Sequence, residues 1–469
     1  MQHRKFIFED QMAFAKLSGD YNPMHVDIVN ARRYLFSQPV VHGVHSALWA
    51  LDNFLKGRTS PINLQSIRAV FHKAIVLENE VNYMLVKEGP QNAEIKLQSG
   101  NSTLTNVKVE WNSTEERNNT FINRAFPAKV SPFSLPVAGL DNASGELDLC
   151  LNVEAAERLF PNLIRLVSPN KIAVILATSR LVGMECPGLH SIYSELNLTS
   201  TGSFECKSLS YKVAKFNNRY SHVLIGIKAQ EMEGIIKAFV RPTPQKQSAY
   251  LDLKREVCCN EFEGQQALII GGSLGLGEVT AKLLSAGGAN VRITYNQGAV
   301  DARQVIQEIT SNGGAASFFH FDVLNPALFK PDIKEVNWNP THLYYFATPS
   351  ILMAEGGGFS PKKFQKFCDY YITGFLNTIS KFKSRDLVGV FYPSSVFINE
   401  LPINMGEYAT AKMAGEMLCM YMERSNQGIK YYRPRLPRMA TDRTASLLPA
   451  DNKDASKILI EQLRRFQNS

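Results

Sequence analysis

The stretch QQALIIGGSLGLGEVTAKLLSAGGANVRITYN, residues 265–296, constrains this chain more than any other. It reads as an apolar strand, a glycine-rich turn, a helix and a second apolar strand. Apolar strands that do not alternate are buried on both faces, which is the habit of a parallel sheet covered by helices. The pattern continues. AVDARQVIQEITSNGG (299–314) reads as a helix, ASFFHFDV (316–323) and THLYYFAT (341–348) as strands, PKKFQKFCDYYITGFLNTISKF (361–382) as a long helix and LVGVFYPSS (387–395) as another buried strand. Residues 262–469 are therefore expected to form an α/β, Rossmann-type, doubly wound parallel sheet. Gly271, Gly275 and Gly277 stand directly after the first strand and open the helix. Backbone N–H groups and the positive helix end at such a turn face a pyrophosphate, and the missing Cβ atoms let it approach.

The first 250 residues are different in kind. SIRAVFHKAIVLENEVNYMLVKE (66–88) and YSHVLIGIKAQ (220–230) alternate in the manner of strands with one wet face. They also suggest a repeat. HGVHSALWAL, from His42, aligns with PGLHSIYSEL, from Pro187, at an offset of 145 residues. The reading is a duplicated α+β unit over 1–125 and 126–250, each block opening a helix. RPTPQKQSAYLDLKREVCCNEFEGQ (241–265) is the linker candidate.

Composition narrows the function classes. The 469 residues carry a net charge of +8 without a run of five basic residues. Nucleic acid is not expected as a partner; an acidic one is, such as a phosphorylated cofactor, a CoA ester or an acidic carrier protein. No apolar run reaches the length of a membrane span, and the N-terminal residues are too charged for a signal peptide. Seven scattered cysteines without a CxxC pair point to free thiols in the reducing cytoplasm.

Chemistry shows first in YPSSVFINELPINMGEYATAK (392–412). Tyr408 and Lys412 are four apart and share a helix face, and Ser395 lies thirteen residues before Tyr408 at the end of a strand. A nearby ammonium lowers a phenol's pKa, and a serine hydroxyl holds a substrate carbonyl. With the Gly-rich turn upstream, residues 265–465 resemble a short-chain dehydrogenase/reductase, nearest its 3-oxoacyl reductases. The resemblance implies that Tyr408 protonates the nascent alkoxide, Ser395 orients the carbonyl and Lys412 holds the nicotinamide ribose. It places Gly271, Ser273, Gly275, Leu276 and Gly277 at the phosphates, Asp322 and Val323 at the adenine and Ala347 beside the cofactor. The second strand ends in RITYNQG without the acidic residue that selects NAD. Asn296 leaves room for a 2′-phosphate and Arg292 is a badly aimed partner for it, so NADPH is the expected cofactor. The chain departs from the family at three places: YFAT (345–348) replaces NNAG, Tyr371 replaces the helix asparagine that supports the lysine through a water, and Pro437-Arg438 replaces PG.

Near the other end, LSGDYNPMHVD (17–27) sets Asp20 five residues before His25, and ARRYLFSQPVVHGVHSALWALD follows. Asp20, Asn22, Pro23 and His25, then Phe36, then His42-Gly43 at a helix start, resemble the MaoC-like (R)-specific enoyl-thioester hydratases and dehydratases, which are hot-dog folds. The resemblance covers about residues 5–110, so the first 250 residues are expected to form a double hot-dog. Loss of water from a 3-hydroxyacyl thioester needs a base at the α-carbon and an acid at the hydroxyl. His25 is assigned as the α-proton base and Asp20 as partner of the hydroxyl or water, with the reverse assignment open. Gly43 is the expected oxyanion donor. His42 and His45 lack an acidic third ligand, and no metal is expected. The second half lacks the acid–base pair and reads as degenerate, although His190, Glu185 and Cys186 offer it an activity of its own.

The two chemistries are consecutive. The expectation is a bifunctional 3-oxoacyl reductase and (R)-3-hydroxyacyl dehydratase in fatty-acid-like or polyketide-like synthesis, acting on acyl-carrier-protein or CoA esters as a homo-oligomer. The rivals are hydration followed by oxidation in acyl-chain breakdown, and a scaffold that binds NADPH or a carrier without turnover.

Overall fold

Among the described residues, ten antiparallel strands build the first part of the chain: β1 (His3–Lys5), β2 (Ile62–Phe71), β3 (Glu80–Glu88), β4 (Asn92–Ser99), β5 (Ser102–Ser113), β6 (Ser144–Asp148), β7 (Ser191–Ser200), β8 (Ser208–Asn217), β9 (His222–Ala229) and β10 (Met232–Val240). The structure is a computed structural model that describes residues 2–114, 123–126, 130–201, 207–229, 231–329, 338–351, 358–425, 428–447 and 450–469. It divides into two compact units, residues 1–243 and the bulk of 244–469.

The sheet order of the first unit is β1-β3-β4-β5-β2-β7-β10-β9-β8-β6. It reads the same from either edge once each strand is exchanged for its counterpart five strands later. The halves join where β2 meets β7, with Arg68 opposite Asn197 and the pairs Ile67↔Leu198 and Ala69↔Leu196 on either side. This symmetry corrects the repeat read from the sequence: the halves are offset by about 129 residues, not 145. PGLHSIYSEL does not open a helix; it is a turn leading into β7. The counterpart of the helix Gly43–Leu55 is Pro169–Arg180, and His190 is no counterpart of His45.

Each half wraps its sheet around one of these helices. Almost every side chain of Gly43–Leu55, and all but Arg180 of Pro169–Arg180, is buried, as befits a helix apolar on all sides. The strands alternate accordingly: Ala93, Ile95 and Leu97 of β4 point inward, as do Val223, Ile225 and Ile227 of β9. Register shifts at Leu85/Lys87 in β3 and Val213/Lys215 in β8 fall at matching points, where an extra residue bends a strand. One apolar core runs through both halves. This is the double hot-dog.

The second unit is a six-stranded parallel sheet: β11 (Gln266–Ile270), β12 (Asn290–Tyr295), β13 (Ala316–His320), β14 (His342–Tyr345), β15 (Gly389–Phe391) and, after the short β16 (Ser394–Ser395), β17 (Lys430–Tyr432). Its order β13-β12-β11-β14-β15-β17 is the doubly wound Rossmann arrangement. The order reverses between β11 and β14, and the carboxyl ends of these two strands carry the glycine-rich turn and the YFAT segment. β16 pairs in parallel with β18 (Arg435–Leu436), which sets Ser395 opposite Leu436. Among the described residues no helix is long and apolar enough to cross a membrane.

Candidate active sites

In the first unit, helix Phe8–Ser18 ends at Gly19, whose φ of +74° turns the chain back. A Cβ there would meet the Phe126 ring at 2.9 Å. The turn delivers Asp20 and Asn22. Asn22 caps the short helix Pro23–Val26 by accepting from the Met24 N–H at 3.1 Å, and that helix presents His25. The motif thus folds as it does because Asn at the N-cap and Pro at the first helical position both favour a helix start.

Asp20, His25, His42 and His45 are all buried. The His25 and His42 rings stack with centroids 3.9 Å apart. His25 Nδ1 lies 2.7 Å from the Val40 carbonyl, so Nδ1 carries the proton and Nε2 keeps its lone pair. Burial, helped by the Arg241 charge, lowers the His25 pKa to about 4, so the ring is a neutral base. Asp20 is raised to about 6 by burial, against the opposing bonds from Ser179 and Asn22. A carboxyl and an imidazole, each held toward its neutral form by burial, therefore share one buried site.

His42 caps the helix Gly43–Leu55 and is pinned by its surroundings. Its Nδ1 lies 3.0 Å from Gln11 Oε1 and its Nε2 3.1 Å from the Asp20 carbonyl. Burial and the neighbouring His25 and His45 hold it well below the ordinary range. Donor atoms of Asp20, His25 and His42 fall within 4.8 Å of one another. Both His42 nitrogens and His25 Nδ1 are turned onto protein oxygens. His45 stacks on Phe14, 4.8 Å between centroids, and packs in the core. Gly43 begins its helix, so its N–H has no intrahelical acceptor. A Cβ there would press the Phe71 ring at 3.1 Å.

What the sequence reading missed comes from the second half. The Ser179 hydroxyl donates to Asp20 Oδ2 at 2.7 Å. The Asn22 amide donates to the Gly183, Gly188 and Leu189 carbonyls at 2.9, 3.3 and 3.3 Å. Gly183 faces the Asp20 carboxylate so closely that a Cβ would fall 2.2 Å from Oδ1. A small cleft lies against Gly19 and Tyr21, on either side of Asp20 in the chain, with Phe126, Arg180 and Met184 in its wall.

In the second unit, Tyr408 and Lys412 lie on one face of the helix Gly406–Ser425, with Ser395 beside them at the end of β16. All three are buried. Burial pushes the Tyr408 phenol up to about 12, opposed by a hydrogen bond from Ser395. Burial lowers Lys412 to about 7, with Cys419 and Glu416 opposing. Lys412 Nζ donates to the Pro393 carbonyl at 2.7 Å and sits 3.9 Å from the centroid of the Tyr371 ring.

The glycine-rich turn closes tightly. Gly271 has φ +77°, and a Cβ there would crowd the Ala347 N at 3.2 Å. A Cβ on Gly277 would fall 2.3 Å from the Gly271 carbonyl. At Gly275, φ +60°, a Cβ would meet nothing nearer than Thr441 at 3.6 Å. The space over the start of the helix Gly275–Ala286 is thus open to a phosphate, and Ser273 and the N–H groups of Gly275, Leu276 and Gly277 are placed to hold one. The residues present fit a dinucleotide.

The comparisons agree with this division. Residues 2–112 match the family described as MaoC like domain, and residues 265–447 match the short chain dehydrogenase family. The chain joins a MaoC-like dehydratase domain to a short-chain dehydrogenase domain. Its short-chain dehydrogenase part is similar to a short-chain dehydrogenase of Shigella flexneri 2a complexed with NADP, at 18% identity over 43% of this chain and 90% of that one, TM-score 0.37. It is similar also to an Escherichia coli oxidoreductase, at 18% over 44% and 91%, TM-score 0.37. A Burkholderia cenocepacia short-chain dehydrogenase in complex with NADP aligns at 22% over 42% and 81%, TM-score 0.35. No curated protein matches the chain.

Other residues of the short-chain dehydrogenase domain that the sequence singles out are held by near neighbours. Asp322 spends its carboxylate locally, accepting from Leu324 N at 2.9 Å and Asn325 Nδ2 at 2.8 Å. Val323 is buried and its carbonyl accepts from Asn377. Asn296 is exposed just past the end of β12. Arg292 is not aimed at it; the guanidinium stacks on Trp338, whose indole bonds Gln266 at the start of β11. In the YFAT segment, Tyr345 bonds the Tyr370 carbonyl at 2.6 Å and Thr348 bonds the Tyr371 hydroxyl at 2.7 Å. Tyr371 itself lies in a π-turn, Asp369–Gly374, its carbonyl taken by the Tyr392 hydroxyl at 3.0 Å. In the MaoC-like unit, Cys186 does not sit at a helix start, and burial raises its thiol to about 11, away from the reactive thiolate form.

Proposed function

We propose that this chain makes and unmakes neighbouring functional groups on one acyl thioester. Its second unit reduces a 3-oxoacyl thioester with NADPH, and its first unit dehydrates the (R)-3-hydroxyacyl product to a 2-enoyl thioester. The observation that carries the reading is the buried Asp20–His25 pair, with His25 Nε2 free as a base and Asp20 raised to about 6. His25 takes the α-proton, Asp20 gives a proton to the departing hydroxyl, and the Gly43 N–H supports the negative charge gathering on the thioester oxygen. Water leaves and the pair exchanges its proton.

In the second unit Ser395 holds the ketone and Tyr408, kept protonated by burial, gives its proton to the developing alkoxide. Lys412 binds the cofactor ribose. NADPH, when bound, supplies the hydride. The preference for NADPH rests on Asn296, exposed where an acidic residue would select NAD. Acyl-carrier-protein or CoA esters fit the basic charge of the chain, and synthesis in the cytoplasm of a fatty-acid-like or polyketide-like chain fits the order of the steps. The exposed apolar stripe Met413, Met417, Met420 and Tyr421 on helix Gly406–Ser425 suits pairing with a second copy.

The test is a panel of 3-oxoacyl-carrier and 3-oxoacyl-CoA substrates with NADPH, products read by mass spectrometry. Wild type yields 2-enoyl thioester, Asp20→Asn stops at 3-hydroxyacyl and Tyr408→Phe leaves the ketone. Conversion only in the hydrating and oxidising direction with NAD assigns the chain to acyl-chain breakdown instead. Binding of NADPH without conversion at any chain length assigns it to the scaffold reading, which the replacement of the family asparagine by Tyr371 favours.

A further inference from the structure

We infer that Ser179, on the central helix of the second half, is a positioning residue for Asp20. The inference rests on the dehydratase reading above but stands on contacts of its own. Residues 179–189 grip the turn 20–22 at every residue. Ser179 Oγ donates to Asp20 Oδ2 at 2.7 Å. The Tyr21 N–H is directed at Met184 Sδ, 3.1 Å away. The Asn22 amide reaches the Gly183, Gly188 and Leu189 carbonyls.

The local structure of the second half is shaped to this task. The helix Pro169–Arg180 does not end in an ordinary cap; it runs into a π-turn, Leu181–Glu185. Single π-turns within helices cluster at functional sites, because the extra residue costs stability and frees carbonyls. Here the turn aims the Gly183 carbonyl at Asn22 and sets the Gly183 Cα against the Asp20 carboxylate, where a Cβ would fall 2.2 Å from Oδ1. Ser179 and Gly183 are thus the points at which the second half meets the Asp20 carboxylate.

The groups around Asp20 leave Ser179 as the adjustable one. From its own half come His42, with Nε2 4.0 Å from Oδ2, and His25; both rings are held neutral by burial. From the second half comes Arg180, which is engaged with Glu185 at 3.8 Å. Asp20 Oδ1 accepts from the Asn22 N–H, a backbone donor fixed by the turn. Ser179 is the side-chain donor. A hydroxyl that donates to a carboxylate favours its ionised form, so it keeps burial from raising Asp20 further.

The test follows the carboxyl itself, in the full chain labelled with ¹³C-aspartate, by infrared titration, with Asp20→Asn assigning the band. In Ser179→Ala the Asp20 midpoint rises by about one pH unit. Ser179→Thr, which keeps the hydroxyl, restores it, and Ser179→Cys, a weaker donor, moves it part of the way. The upper limb of the dehydration pH profile moves upward with it, and kcat falls about tenfold with KM nearly unchanged. An Asp20 midpoint that stays put in both Ser179→Ala and Ser179→Cys overturns the inference, as does a loss of rate with no movement of the pH profile. A wild-type chain whose Asp20 titrates as described but dehydrates no thioester rejects the proposed activity instead, and leaves the positioning role intact.

Discussion

Asp20 and His25 reverse the usual order of a carboxyl and an imidazole: the acid sits near 6 and the base near 4. The cause is burial, which penalises whichever form is charged, and so raises an acid and lowers a base. A single proton on the pair then resides on Asp20, the arrangement the proposed dehydration needs. The expected pH profile of kcat/KM for dehydration is a bell with limbs near 4 and 6, falling at high pH as Asp20 ionises and at low pH as His25 is protonated. A plateau extending through pH 8 in a stopped-flow assay with a 3-hydroxyacyl thioester would show that Asp20 ionises without loss. At the other site, Lys412 is buried and held at about 7. Its folded pKa lies below the unfolded one, so the unfolded chain binds the extra proton between about 7 and 10.5, and stability rises with pH across that window. Lys412→Met is therefore expected to raise the melting temperature of the second unit at pH 7 by a few degrees while abolishing reduction, a trade of stability for activity. Calorimetry and NADPH oxidation on the same sample decide it.

At the scale of elements, the residues that were legible in the sequence are those carried by local patterns. Asn22 at a cap, Pro23 at the first helical position, Tyr408 and Lys412 four apart, and glycines between strand and helix all act within a few residues of themselves. The partners that finish each site were not legible. Ser179 is 159 positions from Asp20, and a serine or a glycine has no spacing that announces a distant carboxylate. The same limit misplaced the repeat. Identical letters around His45 and His190 outweighed the weaker but true signal, the matching inward positions Ala93, Ile95, Leu97 and Val223, Ile225, Ile227. Strand alternation survives duplication because burial enforces it, whereas three matching letters in four are free to arise by chance. The glycine turn gives a prediction at this scale. In Gly277→Ala the added methyl would lie 2.3 Å from the Gly271 carbonyl, a backbone atom that cannot swing aside. The helix must shift away from β11, at a cost of roughly 1–3 kcal/mol. Affinity for NADPH, read by fluorescence, is expected to fall at least tenfold, while dehydration by the first unit is unchanged.

For the whole molecule, the value of joining two units in one chain depends on what passes between them. The proposed intermediate leaves one site as a 3-hydroxyacyl thioester and must enter the other, and a covalent tether keeps the two sites at a local concentration that separate proteins reach only near the millimolar range. Mixing two chains that are each broken at one step separates this effect from catalysis itself. On the proposed roles, Asp20→Asn is expected to reduce but not dehydrate, and Tyr408→Phe to dehydrate but not reduce. Each chain in the mixture keeps one sound site, so the enoyl product is still made, but only after the intermediate crosses the solution or passes between copies in an oligomer. With a carrier-bound substrate at nanomolar enzyme, the mixture is expected to show a lag that shortens as protein concentration rises, while wild type shows none. A Met417→Lys, Tyr421→Lys change on the exposed stripe sharpens the comparison. If copies pair through that stripe, the change yields monomers by sedimentation and lengthens the lag of the mixture without touching the wild-type rate. Equal lags in wild type and mixture would mean that the intermediate always escapes to solvent, and that the fusion serves to keep the two activities in equal amount.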